Sequence, residues 1–175
     1  MSFAVYEAVL ELRRYTLHPG CRDELIELFE REFVDPQEAV GAHLFGLFRV
    51  PSSPDEFLWL RGFRSMAARK EALEAFYFGP VWKEHREAAN ATMIDSDNVL
   101  LLRPVLCGLT SPPPGSQLYL SLSAQPSGAF AVLETEPSPN NFPQLPVRDD
   151  GPFSVSFSRK PPGELLEPTA RSLLR

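Results

Sequence analysis

Glu11-Leu12-Arg13-Arg14-Tyr15-Thr16-Leu17-His18-Pro19-Gly20 is the stretch whose reading decides the fold. Tyr15, Thr16 and Leu17, with Val9 ahead of them, favour an extended pleat, and Pro19-Gly20 closes it. Alternation then sorts the strand into two faces. One carries Val9, Glu11, Arg13, Tyr15 and Leu17; the other carries Leu10, Leu12, Arg14 and Thr16. Leu10 and Leu12 suit packing against helices. Glu11, Arg13 and Tyr15 would then form a polar row on the opposite face, either solvated or lining a polar cavity.

Working outward, the next segments alternate in period. Arg22 to Phe33 places Leu25, Ile26, Phe29 and Phe33 at helical spacing, with acidic residues outside and Pro36 as its stop. Gly41 to Val50 and Glu56 to Phe63 read as strands of a hairpin around Pro51-Ser52-Ser53-Pro54-Asp55. Ser65 can cap a second helix that carries Met66, Arg69, Ala72, Leu73 and Phe76, and Gly79 ends it. Pro80 starts another helix, and Asn98 to Val105 is a last strand. The order β-α-β-β-α-(α)-β is the split βαβ of ferredoxin-like domains, an α+β class.

Composition shifts after that. Residues 111–175 hold 12 of the 18 prolines, so 1–110 reads as one domain, 111–116 as a linker and 117–175 as a helix-poor second half. Gln117 to Ala124, Phe130 to Glu136 and Phe153 to Ser158 read as strands, and Gly163 to Arg175 as a weak helical tail. Gly41-Ala42-His43-Leu44-Phe45-Gly46 followed by Val50-Pro51-Ser52-Ser53-Pro54 is echoed by Gly128-Ala129-Phe130-Ala131-Val132 followed by Glu136-Pro137-Ser138-Pro139. This reads as a worn internal repeat, a truncated second copy packed on the first sheet; two hairpins alike by chance is the other reading.

Bulk properties narrow the class. The chain has 175 residues, 43% of them hydrophobic, a net charge of −6 and a pI near 5.1. That charge argues against nucleic acid or an anionic membrane surface. No apolar run approaches the roughly 20 residues of a membrane helix. Glu7 and Glu11 come too early for a signal peptide. Cys21 and Cys107 are far apart and read as free thiols, so a cytoplasmic protein is expected. Nothing calls for a metal or another cofactor, and phosphate loops, dinucleotide fingerprints and nucleophile elbows are absent.

Glu11-Leu12-Arg13-x-Tyr15-x-Leu17-x-Pro19-Gly20 is one of a set of motifs in a fixed order. The others are the Gly46 strand, Trp59 on a strand running towards Arg69, and Trp82 after Pro80. Together they resemble the NIPSNAP family. Pro137-x-Pro139-Asn140-Asn141-Phe142-Pro143-x-Leu145-Pro146-Val147-Arg148 is similar to the second-copy hairpin of bacterial members with two such domains. The likeness covers residues 7–105 and, in part, 117–158. It implies a dimeric α/β-barrel: two four-stranded sheets face to face, helices outside. Relatives by fold include cofactor-free monooxygenases of the antibiotic-biosynthesis type and haem-degrading enzymes. The family itself has no settled reaction, and its animal members are discussed in vesicle transport and mitochondrial contexts.

In such a barrel the polar row would face the interior, joined by His43, Trp59 and Arg61. His43 or Glu11 could serve as base, Arg13 or Arg61 as anion receiver, and Tyr15 and Trp59 as aromatic wall. Alternatively, Glu11 merely neutralises Arg13 or Arg61 between the sheets. The leading expectation is a small-ligand-binding or scaffold protein that assembles through its sheet. The alternative is a cofactor-free monooxygenase or isomerase acting on a small aromatic or acidic metabolite. With about three strands in the second half, an edge would stay open, and a homodimer is expected to close it.

Overall fold

The computed structural model describes residues 7–107, 116–123 and 128–175. Most of the 111–116 linker, Cys107's side chain and the junction before Gly128 lie outside what is described. Twelve elements follow in order: β1 (Val9–Leu17), α1 (Arg22–Glu32), α2 (Val34–Ala39), β2 (His43–Arg49), β3 (Glu56–Phe63), α3 (Met66–Tyr77), α4 (Pro80–Ala91), β4 (Met93–Cys107), β5 (Leu118–Leu122), β6 (Ala129–Thr135), β7 (Ser154–Ser158) and β8 (Glu164–Pro168). The expected caps are in place: Ser65 Oγ accepts from Ala68 N at 3.0 Å, and Pro80 opens α4. Pro36 does not stop the helical path. It sits in the first turn of α2, where a missing N–H costs nothing.

The strands close one barrel in the order β1-β3-β2-β8-β5-β7-β6-β4. Every strand is hydrogen-bonded on both sides, because β2 pairs with β8 and β4 pairs with β6. The first half runs β4-β1-β3-β2 and the second half β8-β5-β7-β6, so the two halves follow the same internal order. The tail expected to be a weak helix is instead strand β8. Beyond it, Thr169 N and Leu174 N bond back to the carbonyls of Leu47 and Phe45. The open edge behind the homodimer expectation is therefore closed within the chain.

The two faces of β1 are the reverse of the expectation. Leu10 and Leu12 point into the barrel, with Leu58, Leu60, Leu100 and Leu102 from the flanking strands and Leu120, Leu133 and Phe157 from the second half. Leu100 and Leu102 thus belong to the barrel interior, not to the helix–sheet core. Glu11, Arg13 and Tyr15 point outward, beneath the helices, where Trp59 and Phe57 meet Leu25, Ile26, Phe29, Phe33 and Phe76. The physical reason is partnership. The interior of an eight-stranded barrel is just wide enough to be filled by side chains from its own strands, and here those are aliphatic and aromatic. The gap under the helices can supply polar partners from α2 and α3. A register shift between Leu44 and Gly46 turns Phe45 inward, and the bare Gly46 leaves room for the Phe48 ring.

Candidate functional site between sheet and helices

The β1–β3 register sets Glu11 opposite Arg61 and Arg13 opposite Trp59. Arg13 Nη1 donates to Glu11 Oε1 at 2.5 Å. Arg61 donates twice, from Nη2 to Oε1 at 3.1 Å and from Nε to Oε2 at 3.3 Å. A third guanidinium arrives from α3, with Arg69 Nε 3.3 Å from Oε2. All four side chains are at most 1% exposed. One carboxylate therefore faces three buried cations, a local surplus of two positive charges.

Neutral acceptors take up some of the remaining donors. Arg61 Nη1 donates to Gln37 Oε1 at 2.6 Å and to the Tyr77 hydroxyl at 3.2 Å. Arg13 Nε donates to the Tyr15 hydroxyl at 3.2 Å. The Trp59 ring lies between two guanidiniums, 5.3 Å from Arg13 and 4.9 Å from Arg61. The connection between β6 and β7 completes the cluster from the second half. The side-chain oxygens of Asn140 and Asn141 accept from Arg69 Nη1 at 3.0 and 2.8 Å. Asn141 Nδ2 donates to the Met66 carbonyl at 2.7 Å, which ties the connection to α3.

Charge is shared unequally. Burial alone would raise the Glu11 carboxyl, but Arg61, Arg13 and Arg69 together hold it well below the usual carboxylate range. Despite burial, Arg13 and Arg61 are held above the ordinary arginine value. For Arg69 burial wins over Glu11, and its value falls. Burial likewise pushes the Tyr15 hydroxyl up, against the pull of Arg13. Arg69 is thus the least compensated cation, and its Nη2 is buried without a partner.

Beside the cluster lies a cavity of about 100 Å³. Its polar lining includes Arg13, Tyr15, Gln37, Trp59 and Tyr77; its apolar wall comes from α1, α3 and α4, with Leu145 of the β6–β7 connection. Of the six residues expected to share a site, five are together: Glu11, Arg13, Tyr15, Trp59 and Arg61. The site lies under the helices, not inside the barrel. His43 is elsewhere. Its Nδ1 is 3.1 Å from Glu7 Oε1, its ring stacks on Phe45, and it lines a separate groove with Glu38 and Arg64. The shift at Leu44 takes His43 out of the row that ends at Arg61. Among the described residues, no cluster of His, Cys, Asp and Glu could hold a metal ion, and no helix is long and apolar enough to cross a membrane.

Gln37, Arg69, Tyr77, Asn140 and Asn141 were not expected in the site. Arg69 had a signal, since a charged residue in the apolar stripe of Met66, Ala72, Leu73 and Phe76 needs a buried partner. Gln37 had none, because Pro36 hid the short helix that carries it.

A closed α/β barrel with helices on one half and a buried arginine cluster beneath them defines a class before any name does. The NIPSNAP family model matches residues 10–107, and the chain belongs to the NIPSNAP family. The fold recurs in a NIPSNAP family protein of unknown function from Agrobacterium tumefaciens, 18% identical, with a TM-score of 0.51 over 59% of this chain and 94% of that one. A NIPSNAP-like domain protein from Burkholderia xenovorans is 24% identical, with a TM-score of 0.51 over 62% and 91%. A candidate monooxygenase from Lactobacillus acidophilus is 14% identical, with a TM-score of 0.54, and aligns over 88% of this chain and 78% of its own, so the likeness extends into the second half. No curated protein matches the chain.

Proposed function

We propose that this chain is a small-ligand-binding protein whose site is the cavity between the first-half sheet and its helices. The observation that carries this reading is the surplus of two buried positive charges beside a cavity with aromatic walls. Buried cations are costly unless paired, and a purely structural cluster would be expected to carry matching carboxylates. An anionic ligand would offset part of that surplus. The bland alternative, a charge pair that only neutralises itself, leaves that surplus unaccounted for.

The reading of a cofactor-free monooxygenase or isomerase is weaker. It needs a base, and neither expected base is placed for the work. Glu11 is held by three guanidiniums with a depressed pKa, and His43 lies in another groove. The second half is proposed to be a second copy that kept its sheet and lost its helices. Its support is the shared strand order and a positive-φ glycine ahead of the second strand of each half, Gly41 and Gly128.

The test is a thermal-shift comparison of small organic anions with neutral isosteres on the full chain, with Arg13→Met alongside. Anion-selective stabilisation that is lost in Arg13→Met supports the reading. Stabilisation equal in both proteins would place the ligand elsewhere.

A further inference from the structure

Besides Asn90 and Ser96, the polar lining of the cavity is made of side chains with a donor that finds no acceptor among the described residues. Among the described residues no hydrogen bond uses Arg13 Nη2; the two bonds of this side chain leave from Nη1 and Nε. The Tyr15 hydroxyl accepts from Arg13, and the Tyr77 hydroxyl accepts from Arg61, yet neither O–H reaches an acceptor among the described residues. Gln37 is oriented by Arg61: its Oε1 accepts at 2.6 Å, so its Nε2 must be the end left over, and it too has no acceptor. The Trp59 indole N–H is buried and unpartnered. All five side chains line the same cavity.

That pattern specifies the shape of a partner as well as its sign. An ionised carboxylate is acceptor-only, with about four lone-pair positions on two oxygens. Arg13 Nη2, the two tyrosyl O–H groups and the Gln37 amide offer four donors of three types. Only one guanidinium borders the cavity: Arg61 and Arg69 lie outside its lining, bonded to Glu11, Gln37 and the Asn140–Asn141 pair. A second anionic group would therefore find no second guanidinium on the cavity wall. The opposite wall is Leu25, Phe29, Phe33, Phe76 and Trp82, which suits hydrocarbon. At about 100 Å³ the cavity is smaller than the ~150 Å³ that admits benzene, so the tail must be short.

Resting on the ligand-binding reading above, we infer that the cavity takes a monocarboxylate with a short apolar tail, its head among Arg13, Tyr15, Tyr77 and Gln37. The tail lies against α1 and the Phe76–Trp82 wall. A primary amide forgoes the charge-assisted bond from Arg13 and turns its NH₂ towards the donors of Gln37 and the tyrosines, so the neutral isostere binds more weakly. A phosphate or dicarboxylate binds more weakly, because its second charge meets no guanidinium at the cavity wall.

Isothermal titration of the full chain with sodium isobutyrate, isovalerate and propionate, against isovaleramide, malonate and inorganic phosphate, reads the class directly. The ¹H–¹⁵N indole signal of Trp59 reports the site. Expected is binding of the monocarboxylates with a shift of that signal, and at least tenfold weaker binding of the amide and the dianions. Tyr15→Phe and Tyr77→Phe each remove one donor without altering charge, and each should weaken carboxylate binding about tenfold, as expected for a hydrogen bond to a charged group. Isovaleramide binding as well as isovalerate, with the same indole shift, overturns the carboxylate class but leaves a ligand cavity. Phosphate or malonate binding best overturns the single-charge argument. No heat and no indole shift with any of the six overturns the class and the cavity reading together.

Discussion

Arg61 grips Glu11 with two donors across the β1–β3 ladder, at 3.1 and 3.3 Å, and the carboxylate it holds is shared by two other guanidiniums. This places an asymmetry in the cluster. Losing the carboxylate leaves three buried cations together, whereas losing one cation relieves repulsion. Glu11→Gln is therefore expected to cost about 3–5 kcal/mol, the range for breaking a buried pair by removing one partner. Arg69→Met removes the least compensated cation and should cost less, about 1–3 kcal/mol from stranding Asn140 and Asn141. Urea unfolding at neutral pH checks the order; equal costs would show that the surplus charge is not felt.

The same carboxylate sets an acid limit. Its folded pKa is depressed by Arg61, Arg13 and Arg69 against the opposing effect of burial. A depressed carboxylate stabilises fully above its unfolded value, near 4.3. Below that pH the unfolded chain takes up the proton first, and the stabilisation declines until the folded group also protonates, well below the usual range. The stability gap between the wild type and Glu11→Gln should be constant from pH 7 to about 5 and shrink steadily below pH 4. A gap independent of pH down to 3 would remove the ionised Glu11 from the account.

The connection between β6 and β7 is fastened to α3 through Arg69 and Met66. Asn141→Ala deletes both an acceptor for Arg69 Nη1 and the donor to the Met66 carbonyl. It should cost about 1–3 kcal/mol, the price of stranding buried polar groups. Amide exchange should accelerate selectively around Phe142–Leu145, which packs beside Tyr77 and lines the cavity edge. Uniform acceleration across the barrel would mean that the fastening is not local.

Phe29 is edge-on to Phe33, Phe57 and Trp59, with ring centroids 5.8, 5.4 and 4.8 Å apart. Its ring is a wall of the cavity as well as core. Phe29→Ala is expected to cost about 3–5 kcal/mol by lost transfer energy plus the added void. A midpoint shift worth under about 1 kcal/mol would mean that the helix can collapse into the gap.

Periodicity alone located seven of the eight strands and three helices, because Leu25, Ile26, Phe29 and Phe33, or Leu58 and Leu60, carry their partner face in their spacing. It did not locate the faces correctly. Leu10 and Leu12 are compatible with helices or with a barrel lumen, and only the fourth strand of the second half, β8, decides between them by closing the lumen. Glu164-Leu165-Leu166-Glu167-Pro168 has neither β-branched residues nor clean alternation, so its strand pairing is imposed by the edges of β2 and β5. The arginine cluster was half legible. Glu11, Arg13 and Arg61 share faces of adjacent strands, but the Asn140–Asn141 contact spans 71 and 72 residues to Arg69 and has no local signal.

Closure within the chain makes a prediction about its parts. The inner face of the first-half sheet carries Leu10, Leu12, Phe48, Leu58, Leu60, Leu100 and Leu102, all 4% exposed or less in the full chain. Residues 1–107 alone would bare that face and also free the edges of β2 and β4, which β8 and β6 now occupy. A sheet with a large apolar face and two open edges is driven to associate. The geometry of the full chain suggests how: a second copy can offer β4 to β2 and β2 to β4, since β8 and β6 hold the fourth and second places in their half. The truncation is therefore expected to form a face-to-face dimer, or to precipitate, while the full chain loses this reason to associate. Light scattering after size exclusion distinguishes the cases. A monomeric truncation with native-like near-UV dichroism would show that the first-half sheet does not need covering, and would remove the reason for the second half to close the barrel.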